Sequence, residues 1–288
     1  MSYYICGSKG WIANQLAEIL RSQGKTVTMG TVRIENRDAL LAEMRESGAT
    51  YVLNCAGKTG TPNVDWCEDH KAEVLRSNVC GALNVADCAL ELGLHVTYYG
   101  TGCIYAYDAE HPQGSGKGFT EEDEPNFTGS FYSFSKAHAE KLLKCYPNVL
   151  ILRIRMPISD DLHPRSFVTK ITRYAKVIDV PNSVTVLHEL LPVSLDMTEK
   201  RLTGVYNFTN PGAVSHNEIL ALYKEIVDPS FTWANFDAYE QLALVTKAPR
   251  SNNELDTSKI MALYPDIPDA RTAVRSAMIR IRESLDKK

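Results

Sequence analysis

Short apolar runs alternate with amphipathic stretches over the first half of the chain. Segments 3–6, 26–29, 51–54, 96–99 and 149–153 are brief and rich in β-branched and aromatic residues, which predicts strands. Between them, 11–22, 37–47, 72–92 and 132–145 repeat apolar positions at three- and four-residue spacing and predict helices. Regular strand–helix alternation of this kind predicts a doubly wound α/β fold of Rossmann type, built on a parallel sheet. Segment 108–126, rich in Gly, Pro, Asp and Glu, predicts a loop or lid. Beyond residue 155 the pattern is irregular. A strand at 205–208 and helices at 215–227 and 270–285 predict a smaller C-terminal lobe with one strand returning to the main sheet. The expected division is a dinucleotide-binding domain over 1–155, with the returning strand near 203–209, and a mainly substrate-binding lobe over 156–288.

Composition narrows the class of protein. At 288 residues the chain can bury a large core, and 44% apolar with 23% charged residues is ordinary for a globular protein. A net charge of −4 without a long basic run argues against nucleic acid or an anionic membrane as partner. No apolar stretch approaches the roughly 18 to 20 residues that span a bilayer. Met1 leads directly into the first strand, which predicts no signal peptide and a cytoplasmic setting. The seven cysteines show no C-x-x-C pair and no zinc-type spacing with histidine, so neither a metal nor a disulfide framework is expected. Six of them are expected to be small buried hydrophobes.

Gly7-Ser8-Lys9-Gly10-Trp11-Ile12-Ala13 stands between the first strand and the first helix. Glycines at Gly7 and Gly10 allow a tight turn, so that backbone N–H groups through Trp11 and Ile12 approach a pyrophosphate at the helix N-terminus. The second strand ends without the acidic residue that would grip the ribose 2′-hydroxyl of NAD. Lys9 and Arg33 lie nearby instead and favour NADPH, with NADH possible; the alternative is two solvated surface cations. Asn54, Ala56 and Gly57 close the third strand, where small residues suit a cofactor crossing the sheet edge. Asn78 is placed to brace that region through its amide.

Tyr132 and Lys136 stand one helical turn apart on one face. The phenol can give a proton to a carbonyl oxygen while hydride reaches the carbon, and the ammonium is expected to lower the phenol's pKa. Thr101 adds a hydroxyl. Cys103 adds a thiol at the carboxyl end of a strand, which suggests proton abstraction from the carbon next to a ketone.

These residues resemble the extended short-chain dehydrogenase/reductase superfamily. Within it the chain is similar to the bifunctional UDP-4-keto-6-deoxyglucose 3,5-epimerase/4-reductases of plant type. The resemblance runs over nearly the whole chain. It is carried by GKTGTPNVDWCE at 57–68, TGCIY at 101–105, PNFTGSFYS at 125–133, RMPIS at 155–159, ITRY at 171–174, YNFTNPG at 206–212 and APRSNNELD at 248–256. It implies C3 and C5 epimerisation of UDP-4-keto-6-deoxyglucose through enolates, followed by NADPH-dependent reduction of the C4 ketone to UDP-β-L-rhamnose. Thr101, Cys103, Tyr132 and Lys136 are then catalytic. Lys170 is implied as the acid or base opposite Cys103, while a related group uses a histidine, which leaves His163 and His188 open. Lys136 would also anchor the nicotinamide ribose. The resemblance further implies Asn63, Val64, Asn126, Thr128 and Ser130 in the sugar pocket, and a homodimer; Arg250, as a guanidinium, suits the diphosphate.

Thr101-Gly102-Cys103 lacks the Asp and Glu that related 4,6-dehydratases carry at this point, so dehydratase activity is not expected. Two other readings stay open: a reductase acting on a sugar already epimerised elsewhere, and a non-catalytic dinucleotide-binding subunit.

Overall fold

A computed structural model describes residues 1–61, 63–236, 240 and 247–287. Pro62 of the 57–68 motif lies outside the described residues. Six parallel strands form the central sheet: β1 (Ser2–Cys6), β2 (Thr26–Met29), β3 (Tyr51–Asn54), β4 (His95–Thr101), β5 (Val149–Ile154) and β8 (Gly204–Asn207), in the order β2-β1-β3-β4-β5-β8. Two more, β6 (Pro157–Ile158) and β7 (Thr185–Val186), pair separately in parallel.

The strands are apolar on both faces because helices cover both. Along β1, Tyr3 and Ile5 pack with Leu16 and Leu20 of α1 (Trp11–Ser22) and with Leu190 and Leu195 of α8 (Leu187–Glu199). Tyr4 and Cys6 point the other way, into Leu40 of α2 (Arg37–Ser47) and Val85 and Ala89 of α5 (Ala82–Glu91). This is the doubly wound Rossmann-type arrangement that the alternating pattern predicts. A third apolar cluster joins Val168 and Ile171 of α7 (Phe167–Ile171), Ile219 and Leu220 of α9 (His216–Ile226), and Val274 and Met278 of α11 (Ala270–Asp286).

Several elements differ from expectation. The single helix predicted over 72–92 is α4 (Lys71–Leu75), a π-helical turn (Arg76–Gly81) and α5. The side chain of Ile34 occupies the space beside Gly81, where a Cβ would lie 2.7 Å from Ile34 Cδ1. The same turn places Asn78 inward. Helix α8 has no forecast because Pro192 lies inside it and hides the periodicity. The short helices α3 (Trp66–Asp69), α7 and α10 (Ser258–Met261) are below the length that a periodic signal needs. Helix α6 (Phe131–Leu143) closely matches its forecast, and Ser130 caps it by accepting the N–H of Ser133 at 3.1 Å. Segment 108–126 has no helix; a bridge from Phe119 to Leu255 and hydrogen bonds from Arg153 to Thr120 O and from Asn207 N to Glu121 hold it to the sheet.

Candidate active site

The carboxyl ends of β1, β3, β4 and β5 meet at one edge of the sheet, between the directions in which the chain winds. At the β1–α1 turn Gly7 has φ +80°, and a Cβ there would lie 2.9 Å from the N of Ala56. A Cβ on Gly10 would lie 2.9 Å from the carbonyl oxygen of Gly7. The two strand ends therefore touch through bare backbone. Asn54 accepts the N–H of Ala56 at 3.1 Å, while its buried Nδ2 has no partner among the described residues. Asn78 clamps Lys58 from both sides, accepting its N–H at 2.7 Å and donating to its carbonyl at 2.9 Å, so it braces the segment that begins at Gly57. This cradle fits a dinucleotide.

Other cradle residues are arranged less simply. The indole of Trp11 donates to Asp161 at 2.7 Å and stacks on His163 with ring centroids 5.0 Å apart, linking α1 to the segment before α7. Ile12, in the first turn of α1, is partly buried against the core. Arg33 pairs with Glu35 at 2.7 Å, although its side chain remains largely exposed. Lys9 is exposed and has no hydrogen-bond or ion-pair partner among the described residues. An acid does reach the end of β2, from α2 rather than from the strand. Glu43 accepts from Thr31 N at 3.0 Å and Val32 N at 3.2 Å, and also from the Tyr4 phenol, which occupies its carboxylate.

The chemical residues gather one strand further along. Thr101 ends β4, and its hydroxyl accepts the N–H of Cys103 at 3.1 Å and lies within hydrogen-bonding reach of the Tyr132 phenol. Tyr132 and Lys136 project from α6, and Cys103 is close enough to act electrostatically on both. The Lys136 ammonium donates to the Tyr98 phenol and sits 4.5 Å above that ring. Burial pushes the Lys136 pKa down, with Tyr132 and Glu140 opposing.

For Tyr132 burial outweighs the cation, and the phenol is pushed up to about 12. Lys136 does lower it, as expected, but offsets only part of the desolvation, so the net shift is upward. The Tyr132 phenol is therefore neutral at ordinary pH.

Lys170 lies on α7, half-buried, with its pKa pushed down by burial and by the cation Arg165. No hydrogen bond or ion pair among the described residues joins it to Thr101, Cys103, Tyr132 or Lys136. His188 is held by Ser276 at 3.1 Å and Glu189 at 3.1 Å, and His163 by the Trp11 stack.

The expected sugar-pocket residues mostly serve local structure. Ser130 is buried as the α6 cap, and its hydroxyl donates to Ser133 Oγ at 2.9 Å. Asn126 braces the loop through Ala106 N at 2.8 Å and Ala106 O at 2.9 Å. Asn63 accepts Asp65 N at 2.8 Å, Val64 accepts Cys67 N through its carbonyl at 2.9 Å, and Thr128 is exposed. Arg250 pairs with Asp65 at 2.7 Å. Cysteines also depart from expectation: Cys80 and Cys145 are exposed, because they fall on outward faces next to α5 and α6.

Residues that the sequence did not single out complete the site. Tyr98 receives Lys136, and Arg155 donates through Nη1 to Cys103 Sγ at 2.9 Å. Strand alternation could have flagged Arg155, since it stands two positions after Arg153 at the end of a strand that is otherwise apolar. No group of described residues is arranged to hold a metal ion, and no described helix is long and apolar enough to cross a membrane.

A doubly wound parallel sheet with a glycine cradle and an adjoining Tyr/Lys pair places the protein among Rossmann-type α/β proteins. The chain belongs to the family described as the RmlD substrate binding domain, which matches residues 1–282. It is 55% identical over 267 residues to the bifunctional dTDP-4-dehydrorhamnose 3,5-epimerase/dTDP-4-dehydrorhamnose reductase of Arabidopsis thaliana, covering 92% of this chain and 88% of that protein. A trifunctional UDP-glucose 4,6-dehydratase/UDP-4-keto-6-deoxy-D-glucose 3,5-epimerase/UDP-4-keto-L-rhamnose-reductase of the same plant is 51% identical over 289 residues, and the chain spans 42% of its length. The crystal structure of the UDP-rhamnose synthase of Acanthamoeba polyphaga mimivirus superposes with a TM-score of 0.91 at 41% identity, covering 97% of this chain and 99% of that one. A dTDP-4-dehydrorhamnose reductase of Bacillus anthracis, solved in complex with NADP, shares the fold with a TM-score of 0.82 at 19% identity, covering 96% of this chain and 98% of that one.

Proposed function

We propose that this chain converts UDP-4-keto-6-deoxyglucose to UDP-β-L-rhamnose, epimerising C3 and C5 and then reducing the C4 ketone with NADPH. The observation that carries this reading is the grouping of Thr101, Cys103 and Tyr132 at the end of β4. One phenol–hydroxyl pair can polarise a ketone, and a thiol lies beside it. The three relatives whose names include both a 3,5-epimerase and a reductase, or a UDP-rhamnose synthase, support the same reading.

The C3 and C5 protons are both alpha to the C4 ketone, so removing either one gives an enolate whose charge rests on the ketone oxygen. Thr101 and Tyr132 stabilise that oxygen in the epimerisations, and Tyr132 protonates it in the reduction. Cys103 acts on one face of the sugar. Lys170 serves the other face: it is half-buried without an anionic partner among the described residues, whereas both histidine alternatives are engaged elsewhere.

When bound, the reduced nicotinamide supplies hydride. Gly7, Gly10, Trp11 and Ile12 present the backbone of the cradle, with Asn54, Ala56, Gly57 and Asn78 forming its far wall. Lys136 anchors the nicotinamide ribose, and Lys9 with Arg33 favours the 2′-phosphate. Asn63, Val64, Asn126, Thr128 and Ser130 shape the loops around the sugar, and Arg250 takes the diphosphate if it leaves Asp65. Residues 156–288 act mainly as the substrate lobe. A homodimer through α4 and α6 is supported by Leu75, Phe134 and Leu142, which stand exposed on those helices.

The test is NADPH absorbance with UDP-4-keto-6-deoxyglucose, followed by NMR of the product. Stoichiometric oxidation with UDP-rhamnose as product is expected. Oxidation only with a pre-epimerised ketone would reduce the activity to a 4-reductase, and no oxidation with either sugar would leave a binding subunit.

A further inference from the structure

Arg155 carries a charge in the described interior. It is 2% exposed, and no carboxylate pairs with it among the described residues. Its Nη2 donates to Asn182 Oδ1 and to Ser251 O at 3.1 Å. Its Nη1 donates to Ser251 Oγ at 3.4 Å and to Cys103 Sγ at 2.9 Å, while its buried Nε has no partner among the described residues. A guanidinium keeps its charge even when buried, and a buried charge without a counter-ion is strongly disfavoured. Among its described hydrogen-bond partners, Asn182, Ser251 and Cys103, the sulfur of Cys103 is the one able to become an anion near neutral pH.

The local chain is built to permit this contact. At Gly102 a Cβ would lie 3.0 Å from Arg155 Cγ and 2.7 Å from Leu255 Cδ1, so glycine lets the arginine stem pass behind the thiol. Asn182 Oδ1 also accepts Asn253 N at 3.0 Å. Asn253 in turn donates to Gly102 O at 3.0 Å and Tyr105 O at 2.9 Å. One network therefore fixes both the guanidinium and the turn that carries the thiol.

We propose that Arg155 is the positioning residue of Cys103: it holds the sulfur at the sugar and balances the negative charge that the sulfur carries on the deprotonated side of each proton transfer. This rests on the epimerase reading above. The step balances without an oxidant or reductant. Sγ takes the proton from C3 or C5, and the C–H electron pair becomes an enolate with its charge on the C4 oxygen. The acid on the opposite face then protonates the same carbon, and both groups return to their starting states by exchange with solvent. Other titratable groups acting on Cys103 are Tyr132 and Lys136; Tyr107 and His216 lie within the field of Arg155.

The test compares Arg155→Gln and Arg155→Lys with the unaltered chain. It follows alkylation of Cys103 by iodoacetamide, read peptide by peptide in a mass spectrometer, and deuterium exchange at C3 and C5. Arg155→Gln is expected to slow both by roughly 10- to 100-fold, to shift both pH profiles toward higher pH, and to slow exchange more than reduction. Arg155→Lys is expected to recover part of the loss. Equal loss of exchange and reduction, or an unshifted alkylation profile, would overturn the proposal.

If Arg155→Gln does not fold, the unaltered chain decides. Half-buried Cys103 should alkylate faster at pH 7 than the exposed Cys80 and Cys145, and equal or slower reaction would overturn the proposal. Absence of deuterium exchange in the unaltered chain instead contradicts the epimerase reading, while the alkylation comparison remains decisive for Arg155.

Discussion

Two buried arginines stand two positions apart at the end of β5, and their surroundings differ completely. Arg153 is fully paired. It meets Glu140 at 2.7 Å, Asn207 Oδ1 at 3.2 Å and Thr120 O at 3.2 Å, and it lies over the Tyr105 ring. Arg155 has no carboxylate among the described residues and is directed at a thiol. The first ties the sheet to α6 and to the 108–126 loop. The second leaves its charge available to the site. Residues alike in type and burial thus divide between scaffold and chemistry according to which anion faces them.

The site side of this comparison should give the largest effect. Tyr132→Phe removes the neutral phenol proposed to protonate the ketone oxygen, and reduction should fall roughly 10²- to 10⁴-fold. Stopped NADPH oxidation with a folded, NADPH-binding variant is the check. Loss below about tenfold would move the proton donor elsewhere. Because burial holds this phenol up to about 12, the alkaline limb of the reduction should not set in near pH 10, the ordinary value for tyrosine.

On the scaffold side, Arg153→Met leaves the buried Glu140 with only the partly exposed Lys144, 3.7 Å away, as a cation among the described residues. It should cost about 3–5 kcal/mol in urea unfolding. Arg155→Met strands no carboxylate and should cost clearly less. Equal costs would erase the distinction between the two arginines.

A smaller effect comes from the opposite end of the sheet. His95 is buried at the start of β4, and burial, with Arg201 nearby, pushes its pKa down to about 4. A depressed folded pKa means stability is present above the unfolded value and lost as pH falls toward the folded one. Up to about 3 kcal/mol should disappear between pH 6.5 and 4, and His95→Gln should flatten that slope. The Arg250–Asp65 pair is partly exposed, so Arg250→Ala should change stability by less than about 1 kcal/mol. A raised KM for the nucleotide sugar with kcat retained would mark the diphosphate contact.

Much of the fold was legible in the sequence because parallel strands buried on both faces are uniformly apolar and their helices are periodic. The main strands from β1 to β5, β8, and helices α1, α2, α6, α9 and α11 announce themselves in this way. Helix α8 does not, since Pro192 breaks its pattern, and the π-turn at Asn78 depends on Ile34, which is distant in the chain. In the site, Thr101, Cys103, Tyr132 and Lys136 were visible as short motifs and are brought together. Arg155, Tyr98 and Glu43 were not, because their significance lies in what faces them across the fold. Ser130 and Asn126 read as pocket residues within a motif, yet their polar atoms are engaged in a cap and a loop brace.

The central claim is that one thiol–phenol site performs both epimerisation and reduction. Its most direct test is NMR of the product formed from UDP-4-keto-6-deoxyglucose and NADPH in deuterated water. We expect UDP-rhamnose carrying deuterium at C3 and C5, with both labels lost in Cys103→Ser while a pre-epimerised ketone is still reduced. Rhamnose formed with full labelling by Cys103→Ser, or no labelling by the unaltered chain, would contradict the account.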